Sequence, residues 1–263
     1  LSAGRIPNSF LKPPTESISC NPCPALAAAL SVATLSAQAA LVARPGGMVY
    51  DTVQNITWLA DMNYAFTSGY AATNAGGSGS DQILANGRMG WGAAGAWANN
   101  LVYGGLSDWR LPTLNPQDTT CSDNLDAGGS FGLQYFGTGC TGGELSGLFV
   151  TDLGNKPNES VLNTTGDTAK QIANLDLFSN VQSDGYWSGT AYAPSTGNAW
   201  LFVTYDGFQG DEVKDFFLYA MAVRPGDVPA AQVPEPESML LVLTALAGLG
   251  LVRRRRAVGA SAL

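Results

Sequence analysis

The chain has 263 residues, of which only 13% are charged and 32 are glycine, with 6 Trp, 9 Tyr and 10 Phe. So many aromatics with so little charge exclude a disordered chain, and the absence of histidine removes the commonest general base, the commonest zinc ligand and every Ser-His or Cys-His nucleophile pair. Residues 40–227 hold 18 acidic and 7 basic side chains, a net of −11, which excludes nucleic acid as a partner because phosphate binding needs a basic surface.

The elements are taken here in chain order. Ala25 to Leu35 is an apolar stretch of signal-peptide length, and Ala37-Gln38-Ala39 fits the small-x-small cleavage rule. Residues 1–39 are therefore expected to be a signal-peptide region, with Ala37 and Ala39 at the cleavage site and Ala40 as the first mature residue. Cys20 and Cys23 would be lost with it. Removing the end segments leaves roughly 190 residues, enough for a single core.

Met48–Asp51 and Ile56–Leu59 read as two short strands joined by a turn. Gly69–Ser80 is low in complexity and reads as a flexible loop. From Met89 to Tyr103, Trp91, Ala94, Ala98 and Leu101 recur at helical spacing with Trp97 at the border, and Gly104-Gly105 reads as a left-handed stop. The tryptophans read as core, with sugar stacking as the sharper alternative. Ala199–Val203 is aromatic and β-branched, a strand pattern. Asp206-Gly207 is a turn signal. Phe216–Val223 reads as the last strand.

Arg110 and Arg224 are each flanked by apolar residues, which predicts partly buried ion pairs, with Asp108 and Asp206 as candidate partners. Cys121 and Cys140 lie 19 positions apart, and in an exported chain they most simply form one disulfide. The alternative is a pair of reactive thiols, but no histidine is present to help hold a metal. Asp206, Asp211, Glu212 and Asp215 are weak calcium candidates; a solvated acidic turn is the bland reading of the same residues. No cofactor is otherwise expected.

At the C-terminal end, Val233-Pro234-Glu235-Pro236 precedes an uncharged 14-residue run, Met239–Val252, and then Arg253, Arg254, Arg255 and Arg256. The prolines keep the backbone before the run extended. The run is shorter than the ~20 residues of a comfortable span, but arginine stems can reach the interface. Four arginines on one side keep that side cytoplasmic and the preceding domain outside. Residues 228–238 are expected to be a linker with the sorting motif, 239–252 a transmembrane helix and 253–263 a cytoplasmic tail.

This three-part tail resembles the PEP-CTERM sorting signal. The resemblance implies an exosortase as partner, a Gram-negative host, anchoring in the inner membrane with the N-terminus out, and release to the cell surface or extracellular matrix. The middle of the chain resembles the Lcl C-terminal domain family. The residues that carry this are the helix followed by Gly-Gly-Leu-Ser-Asp and Trp109-Arg110-Leu111-Pro112-Thr113, then Tyr186-Trp187-Ser188, Trp200 and Arg224. Against that pattern, residues 114–143 form an insert before Glu144-Leu145.

The family resemblance implies one compact α+β domain over 48–227. The expected architecture is C-type-lectin-like, related to formylglycine-generating enzymes, with short antiparallel strands and one or two helices. It implies a non-enzymatic protein that binds glycan, glycosaminoglycan or exopolysaccharide, with the signature residues mainly structural. A calcium-stabilised domain without a glycan ligand is the alternative, and a hydrolase using two carboxylates the remote one.

Overall fold

The computed structural model describes residues 41–228. The expected signal segment with Ala37, Ala39 and Ala40, the Val233–Pro236 motif, the apolar run 239–252 and Arg253–Arg256 lie outside the described residues. Among the described residues, no helix is long and apolar enough to cross a membrane.

The architecture is mixed α and β, with two antiparallel sheets. The first contains β1 (Leu41–Arg44), β2 (Met48–Asp51), β3 (Ile56–Leu59) and β9 (Val223–Pro225), in the order β1-β2-β3-β9. The β2–β3 hairpin has the predicted bounds, and in its register Met48 is opposite Leu59 and Asp51 opposite Ile56. Its turn is set by Asp51, whose Oδ1 accepts from the N–H groups of Val53 and Gln54 at 2.9 Å each, and by Asn55 at φ 53°, a conformation Asn tolerates. The fold starts earlier than the expected residue 48, because β1 pairs along the whole of β2.

The second sheet has the order β4-β5-β8-β7-β6. Its strands are β4 (Asp123–Asp126), β5 (Leu133–Thr138), β6 (Gly185–Ala191), β7 (Asn198–Val203) and β8 (Phe208–Val213). Strand β7 is buried on both faces. Trp200 and Phe202 enter one core cluster, with Trp58, Phe149 and Tyr186. Ala199 and Leu201 enter the other, with Trp97, Trp109 and Trp187. Burial on both faces explains why β7 reads as a continuous apolar run instead of an alternating one.

Among the described residues, five α-helical segments stand where one or two were expected: α1 (Tyr64–Thr67), α2 (Tyr70–Thr73), α3 (Trp91–Asn99), α4 (Glu144–Ser146) and α5 (Ala169–Leu175). Only α3 and α5 exceed one turn. The Gly69–Ser80 segment is partly helical, because left-handed Gly69 (φ 79°) opens α2. Helix α3 is shorter than predicted and buries Ala93, Ala94, Trp97 and Ala98, so Trp97 is central to its face and Trp91 only half-buried. Gly104 and Gly105 are left-handed as expected (φ 59° and 79°). However, they form the two-residue turn between bridged Tyr103 and Leu106, beyond the helix end, which is the backbone geometry such turns require.

The predicted strand 216–223 is mostly bridges rather than ladder: Leu218 meets Met89, Tyr219 meets Tyr186, and Val223 meets Arg110. The segment threads between the two sheets and becomes β9 only at Val223.

Candidate functional site

The signature residues form a frame. Trp109, Tyr186, Trp187 and Trp200 are all at most 2% exposed, so none presents a face to solvent. The Trp187 indole N–H donates to the Met89 carbonyl at 2.9 Å, and Ser188 Oγ donates to the Trp200 carbonyl at 2.7 Å. Gly189 N donates to the Pro112 carbonyl at 2.8 Å, which ties the two signature segments together.

Both predicted arginine pairs exist: Asp108, one of the two expected partners, takes Arg224, while Arg110 takes a carboxylate that was not among them. Arg110 makes two 2.7 Å bonds to Glu144, whose Oε2 also accepts from Thr113 N at 2.7 Å. Burial would push the Glu144 carboxyl up, but the Arg110 guanidinium and the Thr113 amide outweigh it and hold the group below its usual range. Asp108 instead takes Arg224, at 2.7 and 2.9 Å. Asp206 pairs with neither arginine and accepts from Phe208 N in its turn at 3.1 Å. A third fork, Arg44 to Asp227 at 2.7 Å twice, joins β1 to the segment after β9.

The insert is a hairpin, β4–β5, closed at its base. Cys121 and Cys140 form the expected disulfide, with Cα atoms 4.1 Å apart. Beside it, Asp118 Oδ1 accepts from Thr120 N and Oγ1, and Oδ2 from the N–H groups of Thr141 and Gly142. Burial would raise this carboxyl, but those four donors keep it low. Among the described residues, Asp118, Cys121 and Cys140 are the only cluster with metal-ligand spacing, and the disulfide removes both thiolates from it.

The calcium candidates are not gathered into one site. Asp206 sits in the β7–β8 turn. Asp211 and Glu212 are successive residues of β8 and point to opposite faces. Asp215 lies against Gly79. The Asp211 carboxylate takes Asn198 Nδ2 at 2.7 Å, and Glu212 takes Val213 N at 2.8 Å.

What sequence reasoning missed is β8, and two cavities flank it. The larger, a groove of about 400 Å³, lies on the face of Leu201, Val203 and Glu212. Three aromatics at its edge are exposed: Tyr205 at 53%, Phe208 at 36% and Phe216 at 51%. Such an apolar cluster on a surface is a mark of a binding region. The Phe208 ring lies across the strand because residue 210 is glycine; a Cβ there would stand 2.4 Å from the ring. Arg88 and Asp184 form an ion pair in this groove, and the Arg88 guanidinium lies 5.4 Å from the Tyr219 ring centre. Two carboxylates (Asp184 and Glu212) line the groove with one guanidinium, so the groove is net acidic.

The smaller cavity, about 240 Å³, lies between β5 and β8 and is lined by Gln134, Phe136, Tyr192, Trp200, Phe208 and Asp211 among others. The insert supplies one of its walls.

No curated protein and no solved structure matches the chain. Residues 232–256 match the PEP-CTERM protein-sorting motif, so the chain carries the C-terminal tag by which an exosortase recognises an exported, membrane-anchored protein before processing.

Proposed function

We propose that this is a surface or extracellular-matrix protein without enzymatic activity, whose lectin-like domain binds neutral or amino-sugar polysaccharide in the groove beside β8. The observation that carries this reading is the set of three exposed aromatics around fixed polar groups in that groove. Ring faces cover the apolar C–H faces of sugars, while carboxylates and a guanidinium take their hydroxyls. The sorting tag supports it by delivering the domain to the outside of the cell.

Charge selects among glycans. A domain of net −11 with an acidic groove repels uronate and sulfate. The glycosaminoglycan binding implied by the family resemblance is therefore the less favoured form of the same idea. The test is a glycan array probed with the purified chain. Signal on neutral or amino-sugar polymers, absent on sulfated ones, supports the reading; signal on sulfated polymers alone, or none, overturns it.

A further inference from the structure

Helix α3 carries Trp91, Gly95 and Asn99 at successive intervals of four residues, so the three lie along one face. Opposite that face stand Arg110, Thr113 and Gly189, and between the two walls is a cleft of about 240 Å³. It shares no lining residue with the two cavities beside β8. Trp91 is the one half-buried tryptophan of the six. Its indole N–H donates to the Ser188 carbonyl at 2.7 Å, which fixes the ring. The floor is Gly95. A Cβ there would meet nothing within 4 Å, so packing does not require glycine, and glycine within a helix is destabilising relative to alanine. The fold thus leaves an open notch between an aromatic ring and an amide.

The other wall holds a guanidinium with one edge unused. All five N–H groups of an arginine can donate. In Arg110, Nη1 donates to the Leu111 carbonyl and to Glu144 Oε2, and Nη2 donates to Glu144 Oε1. What remains is the edge formed by Nε–H and the second Nη2 N–H. Arg44 and Arg224 use that same Nε/Nη2 edge to grip Asp227 and Asp108. In Arg110 the Nε has no partner among the described residues and, unlike the Nε of Arg88, it is not sealed in the interior. The Glu144 fork holds this second fork in place.

We propose that this cleft binds a carboxylate carried on one small ring, such as a single hexuronate unit. The free edge of Arg110 takes the carboxylate bidentately, and the ring lies over Gly95 against Trp91. Glu144 already offsets the Arg110 charge, so a second cation is needed, and Lys214 supplies it. Its Nζ lies 4.4 Å from the Trp91 ring centre and donates to the Thr196 carbonyl. Among the described residues no carboxylate is within ion-pair distance of it. No carboxylate lines the cleft either. The net −11 is spread over the domain, and exposed charges more than about 8 Å away are largely screened at physiological salt. The acidic groove therefore rejects a uronate while this cleft accepts one. At about 240 Å³ it is below the ~300 Å³ at which larger ligands begin to fit, so it takes a ring rather than a chain.

The experiment is a saturation-transfer NMR titration of the full chain with glucuronate and with glucose, which has a hydroxymethyl group in place of the carboxylate. Glucuronate is expected to bind, and glucose at least about tenfold more weakly. Gly95→Leu is expected to abolish transfer to glucuronate by filling the notch; leucine is the better helix former, so the melting temperature should not fall. Arg110→Lys keeps the charge but not the fork and should weaken binding about tenfold. Gly95→Leu covers the case that Arg110→Lys disturbs the Glu144 contact and the fold with it. No transfer to glucuronate, equal affinity for glucose, or transfer undiminished in Gly95→Leu would overturn the proposal. Polysaccharide capture plays no part in this readout, so the cleft and the groove fail or stand separately.

Discussion

The body of the domain and its 114–143 insert are held by different means. In the body, Trp58, Trp187 and Phe202 are fully buried, and β6, β7 and β8 pair along most of their length. In the insert, β4 is exposed at every residue, Leu125, Phe131 and Leu133 face solvent, and only two residue pairs join β5 to β8. What holds the insert is its base, the Cys121–Cys140 disulfide and the four-donor Asp118 carboxylate. The body is stabilised by apolar burial, the insert by a crosslink and one polar hub, so perturbations of the two should differ in size and in location.

The largest effect is expected in the body. Trp187→Ala opens a cavity between β6 and α3 and removes one of the two donors to the Met89 carbonyl, leaving only Leu218 N, and should cost about 3–5 kcal/mol; a denaturant titration checks it. In the insert, replacing both Cys121 and Cys140 by Ser should cost up to ~3 kcal/mol. Hydrogen exchange should then rise across residues 123–138 first, while 185–203 remain protected. Equal deprotection of both would show that the insert is part of the cooperative core.

Asp118→Asn should be smaller, about 1–3 kcal/mol at neutral pH. Because hydrogen bonds hold this carboxyl below the usual 3.8, its contribution is present above that value and is lost as pH falls through the lower folded-state value. The difference between wild type and variant should therefore narrow in strong acid.

The smallest effect has the opposite sign. Asp152, at the end of the π-helical turn Gly147–Asp152, is pushed up to about 6, first by burial and then by the charge of Asp51, with Lys170 acting against the shift. Its ionisation therefore penalises the fold, not at all below about pH 4 and fully above about pH 6. Asp152→Asn should stabilise by about 1 kcal/mol at pH 7, after allowing for partial exposure, with no gain at pH 4. Melting temperatures at the two pH values check this. The Asp51–Asp152 pair also bears on the hydrolase alternative: Asp51 is 1% exposed, so it has no open face for a water or a substrate.

Legibility from sequence follows the same division. The β2–β3 hairpin and β7 were readable because burial writes a local apolar pattern. Strand β4, Asp-Asn-Leu-Asp, buries nothing and so writes none. Strand β8 reads as an acidic turn because Gly210, Asp211 and Glu212 sit where β-branched residues are expected; its place comes from pairing along the whole of β7, not from its own propensity. The arginine pairs were expected from their apolar flanks, but the partner of Arg110 lies 34 residues away across the insert, where only the fold brings it. The sorting tag was fully legible, since it acts as a linear signal. The two cavities were not, because each combines residues from separate strands and loops.

The central claim is that the exposed aromatics beside β8 hold polysaccharide. The direct measurement is the affinity of the purified full chain for fractionated extracellular polysaccharide, compared with a variant carrying both Tyr205→Ala and Phe216→Ala. Both side chains are half exposed, so the fold should survive their loss. The account predicts saturable binding that falls at least about tenfold in the variant. Saturable binding that the variant retains in full, or no binding by the wild-type chain, would contradict it.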